Sequence, residues 1–274
     1  MPRIHPSANV DSRAEFAVDA EIGPGCLIEG PVTIGPGTRL IAMVSLMGPL
    51  TLGRGNTLYP HVSLGFAPQD RKFASSTAGA GTVIGDDNVL REGVTIHRAT
   101  GQGPTTVGHR NYFMVNSHLG HDVMMGSDST LANGAIIGGH CELGDQVIVG
   151  GNAGVHPYCR LGRLSILSGL SGMVQDLPPF CTSYVNRRVG SLNLIGLRRA
   201  GCRRHIDPLK KAFDILFHED HSNSQAVDLI EQRFSDDPLC MELARFARTT
   251  QRGITSCDKV VEDPDNLYTW TSGS

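Results

Sequence analysis

Several things are missing from this sequence, and each absence narrows what it can be. No stretch approaches the roughly 18 consecutive apolar residues that a membrane-spanning helix needs. Charge of one sign is not in excess: the formal net charge is −3, so bulk charge does not point to nucleic acid. No CxxC occurs and the seven cysteines are odd in number, which argues against a disulfide framework or a structural zinc knuckle. A reducing, cytoplasmic setting fits that usage. The opening Met-Pro-Arg-Ile-His-Pro has no apolar core of the kind a secretory signal needs. Aromatic residues are scarce at 5%, while glycine is abundant at 33 residues. Helical bundles rarely use so much glycine; tightly turned β structure does. A length of 274 residues allows one large domain, or one domain with an appendage.

What is present is a repeat of six. Apolar residues fall without a break at Ile4, Val10, Phe16, Ile22, Ile28, Ile34, Leu40, Leu46, Leu52, Leu58 and Leu64. The series resumes at Ile84, Leu90 and Ile96, then runs from Val107 and Phe113 through Leu119 and Met125 to Met173. A period of six fits neither an amphipathic helix nor strand alternation. It fits a coil with three short flat sides, one hexapeptide per side, closing every 18 residues with the apolar residue inside. Stacked coils then sit about 4.8 Å apart. Glycine often follows the inward residue, as at Gly23, Gly35, Gly108 and Gly126, and is expected to permit the corner turn.

The phase breaks twice. Leu64 to Ile84 and Ile96 to Val107 each hold more than one hexad, so the surplus must leave the prism as corner loops. The first loop carries Gln69-Asp70-Arg71-Lys72 and the second Gly101-Gln102-Gly103-Pro104. After Met173 the repeat stops, and Pro178-Pro179 disrupts regular pairing. Helical signals follow. Asp207-Pro208 reads as an N-cap with proline at the first helical position, and Ser222 with Gln225 reads as a capping box. The expected organisation is a mainly β parallel β-helix over 1–186, an α-helical domain over 187–253 that caps its open end, and a flexible tail over 254–274.

Several segments go beyond the repeat: Gln69-Asp70-Arg71-Lys72, Val94-Thr95-Ile96-His97-Arg98, Asn116-Ser117-His118-Leu119-Gly120-His121-Asp122 and Gly138-Gly139-His140. Val174-Gln175-Asp176-Leu177-Pro178-Pro179, Gly196-Leu197-Arg198-Arg199-Ala200-Gly201 and Phe246-Ala247-Arg248 add to them. In these segments, from about residue 3 to Gly253, the chain resembles the UDP-N-acetylglucosamine O-acyltransferases of lipid A biosynthesis. The hexad alone would indicate only the broad hexapeptide superfamily. The resemblance implies a left-handed coil, a homotrimer, UDP-N-acetylglucosamine as acceptor and 3-hydroxyacyl-[acyl carrier protein] as donor. Its acyl-phosphopantetheine supplies the thioester, with no resident cofactor or metal.

Acyl transfer to a sugar hydroxyl needs a base near the nucleophilic oxygen and donors for the developing oxyanion. His121 is the candidate base, with Asp122 beside it. One 18-residue coil after His121 stands Gly139, which lets a substrate approach the main chain and offers its N–H. The resemblance assigns the same roles to these three positions. His118, His140 and His156 are read as substrate contacts, against corner histidines bonded to backbone; His97 is read equally as packing near a subunit boundary. Gln69, Asp70 and Lys72 suit a nucleotide sugar. The resemblance adds Asn193 and Arg199 on the nucleotide side, and Gly169 and Arg187 at positions tied to acyl length.

Residues 187–211 hold eight arginines and lysines against the single Asp207, a local charge of +7. Such a patch suits UDP phosphates and an acidic carrier protein, or is simply a solvated helix face. Pro157 departs from the family, which usually has glutamine there. Cys141 and Cys159, one coil apart, are read as small packing residues. Other readings stay open: a 3-amino UDP-sugar as acceptor, a zinc enzyme of the γ-carbonic-anhydrase type, a nucleotide-sugar binder without turnover, and an N-acyltransferase of the same pathway. The His118-x-x-His121 spacing does not match the zinc family, and the hexads begin at Ile4, where the N-acyltransferases carry an extra N-terminal domain.

Overall fold

The computed structural model describes residues 1–184 and 188–257. Short strands stack into three parallel sheets, one per face of a prism. The first face runs from Arg3–Ile4 through Glu21–Ile22 to Ile166–Leu167, the second from Asn9–Val10 to Gly172–Met173, and the third from Glu15–Phe16 to Arg160–Leu161. Registers step by one coil: Ile4 pairs with Ile22, Leu119 with Ile137, Met125 with Leu143. The inward residues of the hexad are buried from Ile22 to Met173. Ile4, Val10 and Phe16 are less covered because they belong to the first coil, with nothing stacked beneath it.

Both insertions leave at the same edge, between the second and third faces. The first lies between strands Ser63–Phe66 and Thr82–Ile84, the second between Thr95–His97 and Thr105–Val107. Arg98 organises the first loop. It is 4% exposed, and its guanidinium donates to the carbonyls of Gly65, Ser75 and Thr77 at 2.7–3.2 Å.

The glycines after the inward residues serve another purpose than the one expected. Gly35 and Gly108 lack positive φ. A Cβ on Gly35 would stand 2.6 Å from the carbonyl of Gly53, and one on Gly108 would stand 2.7 Å from that of Gly126. These glycines are demanded by the closeness of the next coil. The left-handed corner residue is a different position, filled by Asp122, Asp128, His140 and Tyr158 as well as by glycine.

The edge between the third and first faces holds a buried polar ladder. The Asn88 N–H and amide donate to Asn56 Oδ1 at 3.0 Å, and its Oδ1 accepts from Asn111 N at 2.9 Å. Asn111 Oδ1 accepts from Ser129 N at 2.9 Å, and Ser129 Oγ from Val147 N at 2.9 Å. Each side chain thereby satisfies the corner amide of the next coil inside the prism.

Beyond the coils a strand at Cys181–Ser183 turns back antiparallel against Val189–Leu192. Four helices follow: α1 Leu194–Arg199, α2 Ile206–Phe217, α3 Asn223–Arg233 and α4 Pro238–Arg248. The Ser222–Gln225 capping box is present on α3. Helix α2 starts at Ile206, after a 3₁₀ turn over Arg203–His205, so Asp207 sits in its first turn and does not cap it. Asp176 ties these helices to the last coil. It is 1% exposed and accepts from Arg160 N and Nε and from Thr250 Oγ1, while Arg160 also donates to Phe246 O. Residues 254–257, which the expected tail included, are held against the fold. Ile254 bridges Asp176, Cys257 bridges Val189, and Thr255 is buried; residues 258–274 lie outside the described residues. No helix among the described residues is long and apolar enough to cross a membrane.

The ladder makes a stability prediction. Asn88→Ala strands buried partners on both adjoining coils, at about 1–3 kcal/mol per unsatisfied group. Urea unfolding should shift to a clearly lower midpoint. An unchanged midpoint would mean that the ladder contributes nothing.

Candidate active site

The loop-bearing edge stacks its corner residues in columns. Residues His121, Gly139 and Pro157 succeed one another at one-coil intervals, and beside them run Asp122, His140 and Tyr158, each with φ near +60°. His121 lies against Gly139: a Cβ there would meet its Nε2 at 2.7 Å. Only glycine leaves the ring its place. The N–H groups of Gly138 and His140 are used on the carbonyls of Val155 and His121. That of Gly139 has no acceptor among the described residues.

Asp122 fixes the imidazole. Its Oδ2 is 2.6 Å from His121 Nδ1, so Nδ1 carries the proton and Nε2 is left as acceptor. The carboxylate also accepts from Thr100 N, Thr100 Oγ1 at 2.6 Å and Gly101 N at 2.8 Å, all from the second insertion. Thr105 Oγ1 accepts from the Asp122 N–H at 2.8 Å. Burial alone would raise the Asp122 pKa. The hydrogen bonds from Thr100, His121 and Gly101 outweigh it and hold the group at about 2. Thr100 escaped the sequence reading because it contacts Asp122 only through the loop's path, and Thr105, at the start of the strand Thr105–Val107, was not singled out by the repeat.

The other histidines form a cluster around this pair. His140 stands edge-on to His121 with ring centres 5.0 Å apart and stacks flat on Tyr158 at 4.5 Å. His118 shares a 2.8 Å hydrogen bond between its Nδ1 and Thr95 Oγ1, and its ring meets His97 at 4.8 Å. Burial, then the neighbouring His121, pushes the His118 pKa down. His97 falls from 6.5 to about 4 through burial first, then the charges of His118, His121 and Arg98. Its Nδ1 is buried with no hydrogen-bond partner among the described residues. His156, two coils beyond His121, accepts from Arg252 Nη2 at 3.1 Å, a contact with no signal in the repeat. Pro157 packs on Gly138, where an added Cβ would meet its ring at 2.7 Å.

The remaining expected residues are placed apart. Gln69, Asp70 and Lys72 lie in the first insertion on the same edge, two coils before His121. Asp70 Oδ1 accepts from Lys72 N at 2.9 Å, while Gln69 and the Lys72 side chain are exposed. Gly169 occupies a different edge, between the first and second faces. Asn193 is buried and caps α1: its Oδ1 accepts from Gly196 N at 2.8 Å and its Nδ2 donates to Leu164 O at 2.9 Å. Arg199 is exposed at the end of that helix. Arg187 lies outside the described residues. Cys141 and Cys159 are both buried in the prism, as packing residues should be.

His121, Asp122 and His140 offer ligand atoms within 4.8 Å of one another. A cation there would have to displace the proton between His121 and Asp122, on a carboxylate already holding loop donors. The donor set suits an oriented imidazole better than a metal.

The family model described as UDP N-acetylglucosamine O-acyltransferase, domain 2, matches residues 176–255. An acyl-[acyl-carrier-protein]–UDP-N-acetylglucosamine O-acyltransferase of Thermodesulfovibrio yellowstonii is 36% identical over 258 residues, covering 93% of this chain and 99% of that protein. One from an Anaeromyxobacter species is 39% identical over 256 residues, covering 92% and 99%. The solved UDP-N-acetylglucosamine O-acyltransferase of Moraxella catarrhalis superposes with a TM-score of 0.88 at 33% identity, covering 92% of this chain and 99% of that one. That of Francisella novicida gives 0.89 at 30%, covering 96% and 95%. Fold and site together define an acyltransferase built on a hexapeptide-repeat β-helix. Within that class the chain belongs to the UDP-N-acetylglucosamine O-acyltransferase family.

The depressed His97 sets a pH dependence. Between about 4 and 6.5 the unfolded chain binds this proton and the folded chain does not. Stability therefore falls as pH drops through that window. The thermal midpoint should decrease from about pH 7.5 to about pH 5, and His97→Phe should flatten the slope. Identical slopes for the two proteins would remove His97 as the cause.

Proposed function

We propose that this protein transfers a 3-hydroxyacyl group from acyl carrier protein to the glucosamine 3-hydroxyl of UDP-N-acetylglucosamine, opening lipid A biosynthesis in the cytoplasm. The observation that carries the reading is His121, oriented by Asp122 and laid against Gly139. In this reading Nε2 takes the proton of the sugar hydroxyl as its oxygen attacks the thioester carbonyl. The Gly139 N–H steadies the oxyanion. Collapse breaks the carbon–sulfur bond, and the proton passes from His121 to the departing phosphopantetheine thiol. Asp122 stays ionised and holds the ring, which is the role a carboxylate with so many donors can fill.

His118 and His140 border the acceptor in this scheme, and Gln69, Asp70 and Lys72 reach the nucleotide sugar from the loop above. Gly169 and Arg199 do not meet this edge within one chain. We therefore place the active site between subunits of a homotrimer, where a neighbour supplies Gly169 from another prism edge and Arg199 from the end of α1. Asn193 contributes by holding α1, which carries Arg199. Two further assignments belong to the same reading: residues 1–186 form the catalytic domain, and the helices after them form a separate unit.

His121→Ala should lower turnover by roughly 10²–10⁴-fold with the fold intact. Mixed trimers of His121→Ala and Arg199→Ala chains should regain part of the lost turnover, because some of their sites receive both native residues. Near-normal turnover of folded His121→Ala would remove it as the base. No recovery in mixed trimers would overturn the shared site.

Arg203 and Arg204 are exposed on the turn before α2, next to Lys210 and Lys211 on the helix. Reversing both arginine charges should raise KM for the acidic carrier and spare a short acyl-pantetheine donor. Added salt should weaken carrier use in the same way, since exposed charges are screened within about 8 Å. Equal effects on both donors would mean that this surface is not the carrier dock.

A further inference from the structure

Of the imidazole–carboxylate pairs outside the site just described, one has a thiol beside it. Asp214 and His218 are one helical turn apart at the end of α2, with His218 Nδ1 2.9 Å from Asp214 Oδ1. The carboxylate fixes the proton on Nδ1 and leaves Nε2 bare. That nitrogen faces Cys257 Sγ at 3.6 Å. The Phe213 ring holds the imidazole edge-on at 5.5 Å. Cys257 is positioned by its bridge to Val189.

His218 and Asp214 line a cleft of about 500 Å³, and Cys257 meets it through its contact with His218. Its lining is chiefly apolar: Ile166, Tyr184, Leu192, Leu194, Ile195 and Phe213. Ile195 is 61% exposed, so apolar surface here faces solvent. Lys210 stands at the same cleft.

We propose that Cys257 is a nucleophilic thiol that accepts an acyl group from a thioester, with the acyl chain seated in this cleft. The Cys257 proton passes to His218 Nε2, and the thiolate attacks the thioester carbonyl. A new carbon–sulfur bond forms, the bond to the donor sulfur breaks, and that sulfur leaves with the proton from His218. Nothing is oxidised or reduced. The choice of a thioester rests on the donor proposed above, while the geometry of the thiol does not.

The other cysteines set the contrast. Burial raises the thiol pKa of Cys141 to about 12, and it also pushes up Cys26, Cys159, Cys181 and Cys240. Cys202 is partly exposed like Cys257, but its sulfur contacts a carbonyl, Ala200 O at 3.6 Å, and no imidazole. It is a control inside the same molecule.

The test incubates the full chain with decanoyl-N-acetylcysteamine, without UDP-sugar, and maps the acylated peptides by mass spectrometry. Acylation should fall on Cys257 at least about tenfold faster than on Cys202, and His218→Asn should lower the Cys257 rate about tenfold. Cys257→Ser should abolish the modification, and neutral hydroxylamine should reverse it. No acylation, equal rates at the two cysteines, or indifference to His218→Asn would overturn the proposal. Sugar acylation by the same preparation is measured in parallel. Full sugar transfer with an unmodified Cys257 defeats this inference alone, and labelled Cys257 without sugar transfer defeats only the function proposed above.

Discussion

The structure depends on one constraint: each inward residue must stack on its equivalent one coil away. Leu119 over Ile137 over Val155 is one such column. Apolar side chains in a narrow prism give the stabilisation, and parallel strand pairing fixes the spacing. Nothing in the column tolerates a shift, because a one-residue slip would turn the inward side chain outward. Extra residues can therefore leave only at the edges. The asparagine ladder closes one edge from inside, tying Asn56, Asn88 and Asn111 coil to coil. Both long insertions use another edge.

That division places the candidate site. The loop-bearing edge inherits the exact periodicity of the prism, so His121 and Gly139 meet without any local device to bring them together. The loop then adds what the repeat cannot: Thr100 and Gly101 reach back to Asp122 and keep it ionised. Rigid columns supply distance, and an insertion supplies electrostatics. Preorganisation of this kind lets the charge of a transition state be met without moving the protein.

The repeat was legible because it is a one-dimensional signal: the inward positions from Ile22 to Met173 are buried as the period requires. His121, Asp122 and Gly139 share that legibility, since a spacing of 18 is enough to bring two of them together. The misses have a common cause. Glycines such as Gly35 look like turn residues in sequence, yet only the neighbouring coil shows that they are steric requirements. Arg98 reads as one basic residue in a histidine segment, and two of its three carbonyl partners, Ser75 and Thr77, lie in a loop of irregular path. Asp176 and Arg252 bind across long sequence separations that no period encodes. Helix α1 is six residues long, too short for an amphipathic pattern.

The His121–Asp122 pair and the His218–Asp214 pair differ in a way that follows from their supports. The Asp122 side chain is 8% exposed and takes donors from two backbone amides and a hydroxyl besides His121. Its orientation is set by a prism edge and a loop together, so the ring it holds is kept in one tautomer. The Asp214 side chain is 57% exposed and is carried by a single helix end. Water competes there for the carboxylate, and the pair gains much less from its mutual attraction. What concentrates reactivity at the second pair is the thiol beside it, a far better nucleophile than a sugar hydroxyl and in need of less help. On the two proposals, a deeply supported base serves a hard oxygen nucleophile and a lightly supported one a soft sulfur nucleophile, each matched to the barrier it faces.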